Sequence, residues 1–391
     1  MAAPLAGLKV VELARILAGP WAGQTLADLG AEVIKVESPE GDDTRGWGPP
    51  FIERNGSKDA AYFHCCNRGK ASVVVDFRTP EGQEQVRALV READILIENF
   101  KVGGLAKYGL DYESLRAVNP GLIYCSVTGF GQTGPYAHRA GYDYIVQGMS
   151  GLMSVTGAPE GQPQKVGVAV TDIFTGLYAS TAILAAVHQR NVTGEGQQID
   201  MALLDVAVAV MANQAMNYLA TGTAPKRLGN AHPNIVPYQV FDCADGFVII
   251  ACGNDGQYRR FARLIGRADL AEAPDFATNA GRLEHRERLV AMLGEATGRM
   301  TKAELLAACE AEGVPAGPIN DMAEVFADPQ VIARGLQIDR DGVPGVRLPI
   351  TFSGAQATAD RPSPALGEDQ ALLSGSPIRS SAASSGDQSS S

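Results

Sequence analysis

Hydrophobic and polar positions follow two periods along the first third of the chain. Short apolar runs predict buried strands, and longer segments with apolar residues every three to four positions predict helices between them. The predicted strands are 9–13, 31–37, 71–76, 95–98 and 122–127, and the predicted helices are 20–29, 80–92 and 112–118. Strands that alternate with helices predict an α/β fold, with a Rossmann-like, mostly parallel, doubly wound sheet in the large domain.

The carboxyl ends of the strands are the places where such sheets bind ligands. The segments after Leu13, Glu37 and Glu98 are therefore candidate ligand-binding loops. Basic residues near these ends are suited to hold the phosphate groups of a nucleotide-like ligand, and they are Arg15, Lys35, Arg45, Arg68, Lys70 and Lys107. Scattered surface charge explains the same distribution equally well.

The second half of the chain has a different organisation. A helix that starts near Ile173 and ends near Gly194 precedes a second apolar helix at 203–219. A predicted hairpin and several helices then form a smaller α+β domain, and a strand at 349–354 is expected to return to the first domain. We divide the chain into a large domain (1–222), a small domain (223–329), a return segment (330–373) and a Ser-rich tail (374–391) that is expected to be disordered.

Asp172 is a carboxylate inside an apolar run, at the start of the long helix. Thr171 and Asp172 are both good N-cap residues, and an acid in the first turn interacts favourably with the helix dipole. The helix N-terminus is expected to lower the pKa of this carboxyl, so that an ionised nucleophile faces a pocket. Such a carboxylate attacks a thioester carbonyl to form a mixed anhydride. The pattern alone leaves cap and nucleophile open, and we interpret Asp172 as both.

The composition is that of a soluble globular protein. The chain has 391 residues, of which 45% are hydrophobic and 20% are charged, and no run of eighteen apolar residues predicts a membrane span. A net charge of -11 argues against a nucleic-acid partner. The N-terminus has no secretory pattern, and the six cysteines form no C-x-x-C pair, so we expect reduced thiols in the cytoplasm.

Several common catalytic motifs are missing from the sequence. There is no H-E-x-x-H or histidine cluster for a metal, no P-loop and no G-x-S-x-G elbow, so we expect neither a metal nor a permanently bound cofactor. The motif from Gly129 to Gly134 matches G-x-G-x-x-G. It comes late in the predicted sheet, however, and no amphipathic helix follows it, which disfavours a dinucleotide site.

A second glycine motif, Gly253-Asn254-Asp-Gly256-Gln257, follows a predicted strand and opens a helix. One interpretation is a plain turn with an N-cap. The other is a mobile loop whose backbone N–H groups close over a reacting carbonyl.

Taken together, these segments resemble the family III CoA-transferases, the group that includes formyl-CoA transferase and the carnitine and bile-acid CoA-transferases. The resemblance covers residues 4–355. The matching segments are Leu5-Ala-Gly-Leu-Lys-Val-Val-Glu-Leu, Ala18-Gly-Pro20, Leu29-Gly-Ala-Glu-Val-Ile-Lys-Val-Glu37, Ile97-Glu-Asn-Phe100, Val170-Thr-Asp172 and Gly194-Glu-Gly-Gln197.

The resemblance implies a mechanism and a site. Asp172 falls on the catalytic aspartate, which passes through an aspartyl-acyl anhydride and an enzyme-CoA thioester. The residues that fall on the CoA site are Arg15, Leu17, Ala18, Asn99, Phe100 and Lys107, with Arg68 and Lys70 as further phosphate contacts. Gly253, Asn254, Gly256 and Gln257 fall on the family's glycine loop.

The substrates implied by the resemblance are an acyl-CoA and a small carboxylic acid. Formyl-CoA transferase has His at the position of Arg15 and Arg at that of Ser38, so this chain looks more like members that use succinyl-CoA with glutarate or a related acid. Arg15 or Arg45 is the candidate reader of the second carboxylate. The family fold implies an interlocked homodimer.

The same fold hosts α-methylacyl-CoA racemases, which transfer protons with a His–Asp pair. Their histidine falls on Tyr142 here, and a tyrosine is a poor base at neutral pH. The alternatives to a transferase are therefore a racemase or epimerase, and an acyl-CoA-binding relative in which Asp172 is idle.

Overall fold

The structure is a computed structural model that describes residues 3–54 and 56–375. Most of the predicted tail (374–391) lies outside the described residues. The strands are β1 Lys9–Glu12, β2 Glu32–Glu37, β3 Phe51–Arg54, β4 Ser57–Ala60, β5 Ala71–Val74, β6 Ile95–Glu98, β7 Ile123–Thr128, β8 Gln197–Ala202, β9 Tyr238–Cys243, β10 Gly246–Ala251, β11 Ala316–Pro318, β12 Gln337–Arg340 and β13 Val343–Val346.

The helices connect these strands along the whole described chain. They are α1 Ala18–Asp28, α2 Ala61–His64, α3 Pro80–Arg91, α4 Tyr112–Arg116, α5 Asp143–Met149, α6 Leu152–Val155, α7 Val170–Thr193, α8 Leu203–Ala209, α9 Ala212–Thr221, α10 Asp255–Leu264, α11 Ala268–Glu272, α12 Asn279–Glu284, α13 Arg286–Thr297, α14 Lys302–Ala311, α15 Met322–Ala327 and α16 Pro329–Ala333. Single 3₁₀ turns lie at Asp43–Gly46, Ala106–Tyr108, Pro274–Phe276 and Gln370–Ser374.

The chain divides into two compact units. Of the described residues, unit 1 contains 3–54, 56–152, 166–220 and 329–375, and unit 2 contains 153–165 and 221–328. The short segment 153–165, which we had included in the large domain, thus belongs to the smaller unit.

Unit 1 is built around a six-stranded parallel sheet in the order β5-β2-β1-β6-β7-β8. Alternate residues of the strands face opposite sides, so that Val10 lies in a core with α1 and α7 while Val11 lies in a core with α3 and α4. Burial on both faces explains the nearly continuous apolar runs of the strands. The predicted Rossmann-like α/β fold is confirmed.

Helix α7 crosses one face of this sheet and packs against α1. A Cβ atom on Gly176 would approach the carbonyl oxygen of Ala18 to 2.8 Å, so a glycine permits the close contact of the two helices. The helix ends before Gly194, whose φ of +79° is typical of a C-terminal glycine. By length and composition α7 is apolar enough to cross a membrane, which the sequence analysis had not expected. Less than half of its apolar window is buried, and the buried residues are mostly small ones.

Unit 2 contains a three-stranded antiparallel sheet in the order β11-β10-β9, covered by helices. The predicted hairpin is confirmed as β9 and β10. The side chain of Arg282 is fully buried beside this sheet and donates hydrogen bonds to the backbone oxygens of Val236 and Phe276. It therefore ties the loop before β9 to the helical layer.

Three predicted elements are wrong in detail. Residues 349–354 form no strand; Pro349 has no N–H to donate, and the nearby two-stranded sheet is formed by β12 and β13 instead. The apolar helix predicted at 203–219 is broken into α8 and α9 at Ala212, whose φ is +42°. The sequence pattern of the smaller domain also predicts one helix over 282–299, which the structure interrupts at His285.

Candidate active site

A cavity of about 240 Å³ opens at the carboxyl ends of β1, β6 and β7, within unit 1. The loops after Leu13 and Glu98 line it, as expected from the position of ligand sites in parallel sheets. The loop after Glu37 does not. The predicted site residues that line the cavity are Arg15, Leu17, Ala18, Asn99, Phe100, Tyr142 and Asp172.

The side chain of Asn99 joins the two loops that border the cavity. Its Oδ1 accepts the backbone N–H of Arg15 at 2.9 Å, and its Nδ2 donates to the backbone oxygen of Arg15 at 2.7 Å. The next residue, Ile16, has φ of +72°, an unfavourable conformation for a β-branched side chain, and its N–H points to the carboxylate of Asp42 at 3.3 Å. Backbone strain of this kind is characteristic of functional sites.

Asp172 is the third residue of α7, and it is not the cap. The N-cap position is Ala169, and no side chain caps the helix there. Among the described residues none donates a hydrogen bond to the Asp172 carboxylate, although this carboxylate lines the cavity. The interpretation of Asp172 as a cap is therefore wrong, and an unpaired carboxylate faces the cavity.

The expected direction of the pKa shift at Asp172 is also wrong. Burial raises the pKa of this carboxyl to about 7, and the negative charge of Asp143 raises it further in the same direction. The helix N-terminus favours the ionised form, but removal of water from a carboxylate and a like charge nearby both favour the protonated form. The latter two effects dominate in the ligand-free protein.

Asp143 is a site residue that the sequence analysis missed. Its Oδ1 accepts hydrogen bonds from the N–H of Thr171 at 2.9 Å and from the hydroxyl of Thr171 at 2.6 Å. Its Oδ2 accepts from the Nε2 of the fully buried Gln147 at 2.8 Å. Asp143 thus holds the first turn of α7, and with it Asp172, in place. Its sequence signal was a second acid directly after Tyr142.

Two glycines of the cavity wall are required by packing. A Cβ on Gly129 would overlap the backbone of Gly141, and a Cβ on Gly141 would overlap Gly129. Both line the cavity. The G-x-G-x-x-G match therefore begins with a glycine at a close approach of two backbone segments, and no helix opens directly after the match.

Arg139 is a second residue that the sequence analysis missed. It lines the cavity, and its guanidinium lies 4.7 Å from the ring centre of Tyr136 and 5.8 Å from that of Phe130. Within the described residues it forms no ion pair with a carboxylate. A guanidinium that is stacked on aromatic rings but unpaired is suited to bind an incoming anion.

Two of the predicted phosphate contacts do not face the cavity. Arg68 is buried and forms an ion pair with Asp28 at 2.6 Å. Lys70 is fully buried, and its ammonium lies 2.8 Å from Glu12 and donates to the backbone oxygen of Pro20. Their charges are neutralised inside the fold, where isolated cations are costly, so neither is free to bind phosphate.

The structure also places Arg45 and Lys107 outside this cavity. Arg45 pairs with Glu37 at 2.7 Å and with Asp59 at 3.0 Å, and its guanidinium stacks on Phe63. These buried contacts leave no donor for a substrate carboxylate, so the hypothesis of Arg45 as a reader is wrong. Lys107 is exposed in a 3₁₀ turn, with its ammonium 4.7 Å from its neighbour's ring centre.

The glycine motif of unit 2 forms a turn at the start of α10. Asn254 is the N-cap, and its Oδ1 accepts the N–H of Gln257 at 2.9 Å. The side chain of Gln257 in turn accepts the N–H of Gly253 at 2.8 Å. The adjacent Asp255 is paired with Arg282 at 2.7 Å. The motif therefore has the conformation of a capped turn, with Gly256 in its first helical turn.

No group of three or more His, Cys, Asp and Glu residues in the described ranges is arranged to hold a metal ion. The six cysteines are free thiols.

Comparison with known proteins agrees with this geometry. The model of CoA-transferase family III matches residues 5–370. A succinate–glutarate CoA-transferase of Agrobacterium fabrum is 61% identical over 95% of this chain and 94% of its own length, and the human succinyl-CoA:glutarate CoA-transferase is 41% identical over 93% and 84%. A CAIB/BAIF family crystal structure from Brucella suis has a TM-score of 0.88 at 62% identity, covering 96% of this chain and 99% of its own. The chain belongs to CoA-transferase family III.

Proposed function

We propose that this protein moves CoA from succinyl-CoA to glutarate, with Asp172 as the nucleophile. The observation that carries the proposal is the unpaired carboxylate of Asp172 in the wall of a cavity at the ligand-binding edge of the sheet. The relatives at 61% and 41% identity are a succinate–glutarate and a succinyl-CoA:glutarate CoA-transferase, which supports the choice of the two acids. No histidine lines this cavity among the described residues, which argues against a racemase.

The reaction proceeds by two exchanges at the Asp172 carboxylate. An ionised oxygen attacks the thioester carbonyl of succinyl-CoA, and the C–S bond breaks to give an aspartyl-succinyl anhydride and the CoA thiolate. The thiolate attacks the aspartyl carbonyl, which releases succinate with one oxygen from Asp172 and leaves an aspartyl-CoA thioester. Glutarate then attacks this thioester, and the same steps in reverse yield glutaryl-CoA and a free aspartate.

The cavity residues have the following roles in this proposal. Asn99 fixes the loop that carries Arg15, and Phe100 with Leu17 and Ala18 provides apolar surface for the CoA chain. CoA is a substrate here and not a resident cofactor.

An ¹⁸O experiment tests the enzyme-bound route. With glutarate labelled in both carboxylates, succinate from the first turnover should carry no label, because its new oxygen comes from Asp172. Each later turnover should release labelled succinate, since glutarate leaves one ¹⁸O in the aspartate. Rapid-quench mass spectrometry resolves the two phases. Label in the first succinate would indicate direct attack of glutarate on succinyl-CoA, and the absence of any transfer would refute the function.

Arg15 is the proposed reader of the second carboxylate of the acid. Its guanidinium is 2.9 Å from Asp43 in a half-exposed pair, which an incoming carboxylate can replace at little cost. Replacement of Arg15 by Ala should lower kcat/KM for glutarate about 30-fold relative to pentanoate, which lacks the second charge. Steady-state assays with both acids measure the ratio. Equal losses of kcat/KM with both acids would show that Arg15 acts only in CoA binding. A selective loss with glutarate in Arg139→Ala would show that Arg139 binds the second carboxylate.

The protein is proposed to act as a homodimer in the cytoplasm. Large apolar side chains of α5 and α7 are exposed in the single chain, among them Tyr144, Ile145, Leu177 and Tyr178. Such an apolar surface is expected to be covered by another protein surface, and a second copy is the simplest partner. The free thiols support a reducing compartment.

A further inference from the structure

Glu98 is a buried carboxyl beside the active cavity that the proposed reaction does not use. It is the last residue of β6, and only 5% of its surface is exposed. No Lys, Arg or His of the described ranges forms an ion pair with it. A buried acid without a cationic partner is costly in its ionised form, so its presence at this strand end calls for a physical reason.

The contacts of Glu98 give that reason. Its Oε2 accepts the backbone N–H of Phe100 at 2.7 Å, which closes a tight turn after β6. The hydroxyl of Ser126, the residue paired with Glu98 on β7, favours the ionised form of the carboxyl and so opposes the rise of its pKa. The Nε2 of Gln198 on β8 donates to the same hydroxyl at 3.2 Å. The carboxyl at the end of β6 thus accepts the Phe100 N–H beside polar side chains of β7 and β8.

The turn held in this way contains Asn99 and Phe100, two residues that line the active cavity. Asn99 makes both hydrogen bonds to the backbone of Arg15, and the Arg15 guanidinium lies 5.8 Å from the Phe100 ring centre. A weaker hydrogen bond between the Phe100 N–H and Glu98 is therefore expected to change the conformation of both loops that border the cavity.

We propose that Glu98 is a positioning residue for CoA binding, whose carboxylate anchors the turn that presents Asn99 and Phe100 to the CoA moiety. This role rests on the proposed function of the cavity. A carboxylate is a stronger acceptor for the Phe100 N–H than a protonated acid or an amide is. The anchor is therefore firm when Glu98 is ionised and looser when it is protonated.

The ionisation of Glu98 falls in the neutral range. Burial raises the pKa of its carboxyl to about 7, although the hydrogen bonds from Ser126 and Phe100 oppose the shift. On its other side the carboxyl faces a polar cavity of about 50 Å³. The titratable and charged groups around it, on the loop after β6, at the start of α4 and on β7, are Lys101, Asp111, Tyr112, Tyr124 and Cys125. We therefore expect CoA affinity to rise as the pH rises through about 7.

The test measures CoA affinity in a background where the nucleophile cannot react. Isothermal titration with free CoA is carried out at pH 6 and pH 8 on Asp172→Asn and on the same variant with Glu98→Gln. We expect Glu98→Gln to raise the Kd for CoA about tenfold at pH 8 and to change it little at pH 6, where Glu98 is already mostly protonated. Glu113→Gln, which alters an exposed acid on α4, is the control and should change neither value.

The free energy of unfolding distinguishes a positioning role of Glu98 from a general loss of fold stability in the Glu98→Gln variant. Because the folded state raises the pKa of Glu98 above its unfolded value, this acid lowers stability as the pH rises from 4.5 to about 7, and the loss remains at pH 8. Glu98→Gln should therefore weaken CoA binding at pH 8 while it stabilises the fold. An unchanged Kd, an equal rise at both pH values, or a joint loss of affinity and stability would overturn the inference. Failure of the parent variant to bind CoA would instead reject the proposed function of the cavity, and the inference with it.

Discussion

Replacement of Asp172 by Asn is expected to abolish CoA transfer, with a fall in kcat of at least about 10⁴-fold. The amide keeps the size of the side chain but has no ionised oxygen to attack the thioester. Transfer from succinyl-CoA to glutarate, followed by mass spectrometry, measures the loss. Intact-mass analysis of the wild-type protein mixed with succinyl-CoA should show an enzyme-CoA thioester, and the variant should show none.

Asp205 offers a matched control for this variant. It is the third residue of α8, as Asp172 is the third residue of α7, so Asp205→Asn removes a carboxylate with the same relation to a helix N-terminus. If the helix dipole alone explained the acid at this position, both variants would lose similar stability and neither would lose the reaction. We expect Asp205→Asn to retain transfer. Equal activity in the two variants would refute the assignment of Asp172 as the nucleophile.

The stability of Asp172→Asn provides a second check that the protein is folded. An acid whose pKa is raised in the folded state makes the protein less stable as the pH rises from the unfolded value of 3.8 to about 7, and the loss persists above it. Removal of this acid should therefore increase the unfolding free energy at pH 8. An inactive variant that is more stable than the wild type cannot be explained by unfolding.

The sequence allowed prediction of the sheet and of much of the site because both depend on local patterns. The apolar strand runs and the Gly194 stop are short-range signals, and so is the placement of Asn99 and Phe100 directly after a strand. The position of Asp172 at the start of a long helix was equally visible. The predictions that were based on strand ends and helix starts were therefore largely right.

Features that depend on tertiary packing were not predictable in the same way. Lys70 and Arg45 lie near strand ends, as ligand-binding cations do. Only the buried carboxylates that pack against them in the folded protein show that they stabilise the fold instead. The pKa of Asp172 was predicted with the wrong sign because the helix dipole is a local effect, whereas burial and Asp143 act through the folded structure. Arg139 was missed because its aromatic partners do not follow a regular period.

The raised pKa of Asp172 leads to the second large expected effect, an acid limb in the pH–rate profile. On this limb the rate of transfer falls steeply as the pH decreases below about 7. The nucleophile must be ionised, and the ligand-free protein binds this proton with a pKa of about 7. We expect kcat/KM for succinyl-CoA to fall about 50-fold between pH 7 and pH 5, with a slope that approaches about tenfold per pH unit at the acidic end. Steady-state rates at constant ionic strength from pH 5 to pH 9 measure the profile.

Asp143→Asn distinguishes this limb from the titration of other groups. The amide oxygen can still accept the N–H of Thr171, but the negative charge that raises the pKa of Asp172 is gone. The acid limb should therefore move to lower pH in Asp143→Asn, and transfer at pH 5 should exceed that of the wild type once both are normalised to their plateaus. In Glu98→Gln the rate of transfer should still fall at acidic pH, because Asp172 still titrates. A limb that stays fixed in Asp143→Asn and disappears in Glu98→Gln would assign it to Glu98, and would leave Asp172 ionised throughout the range.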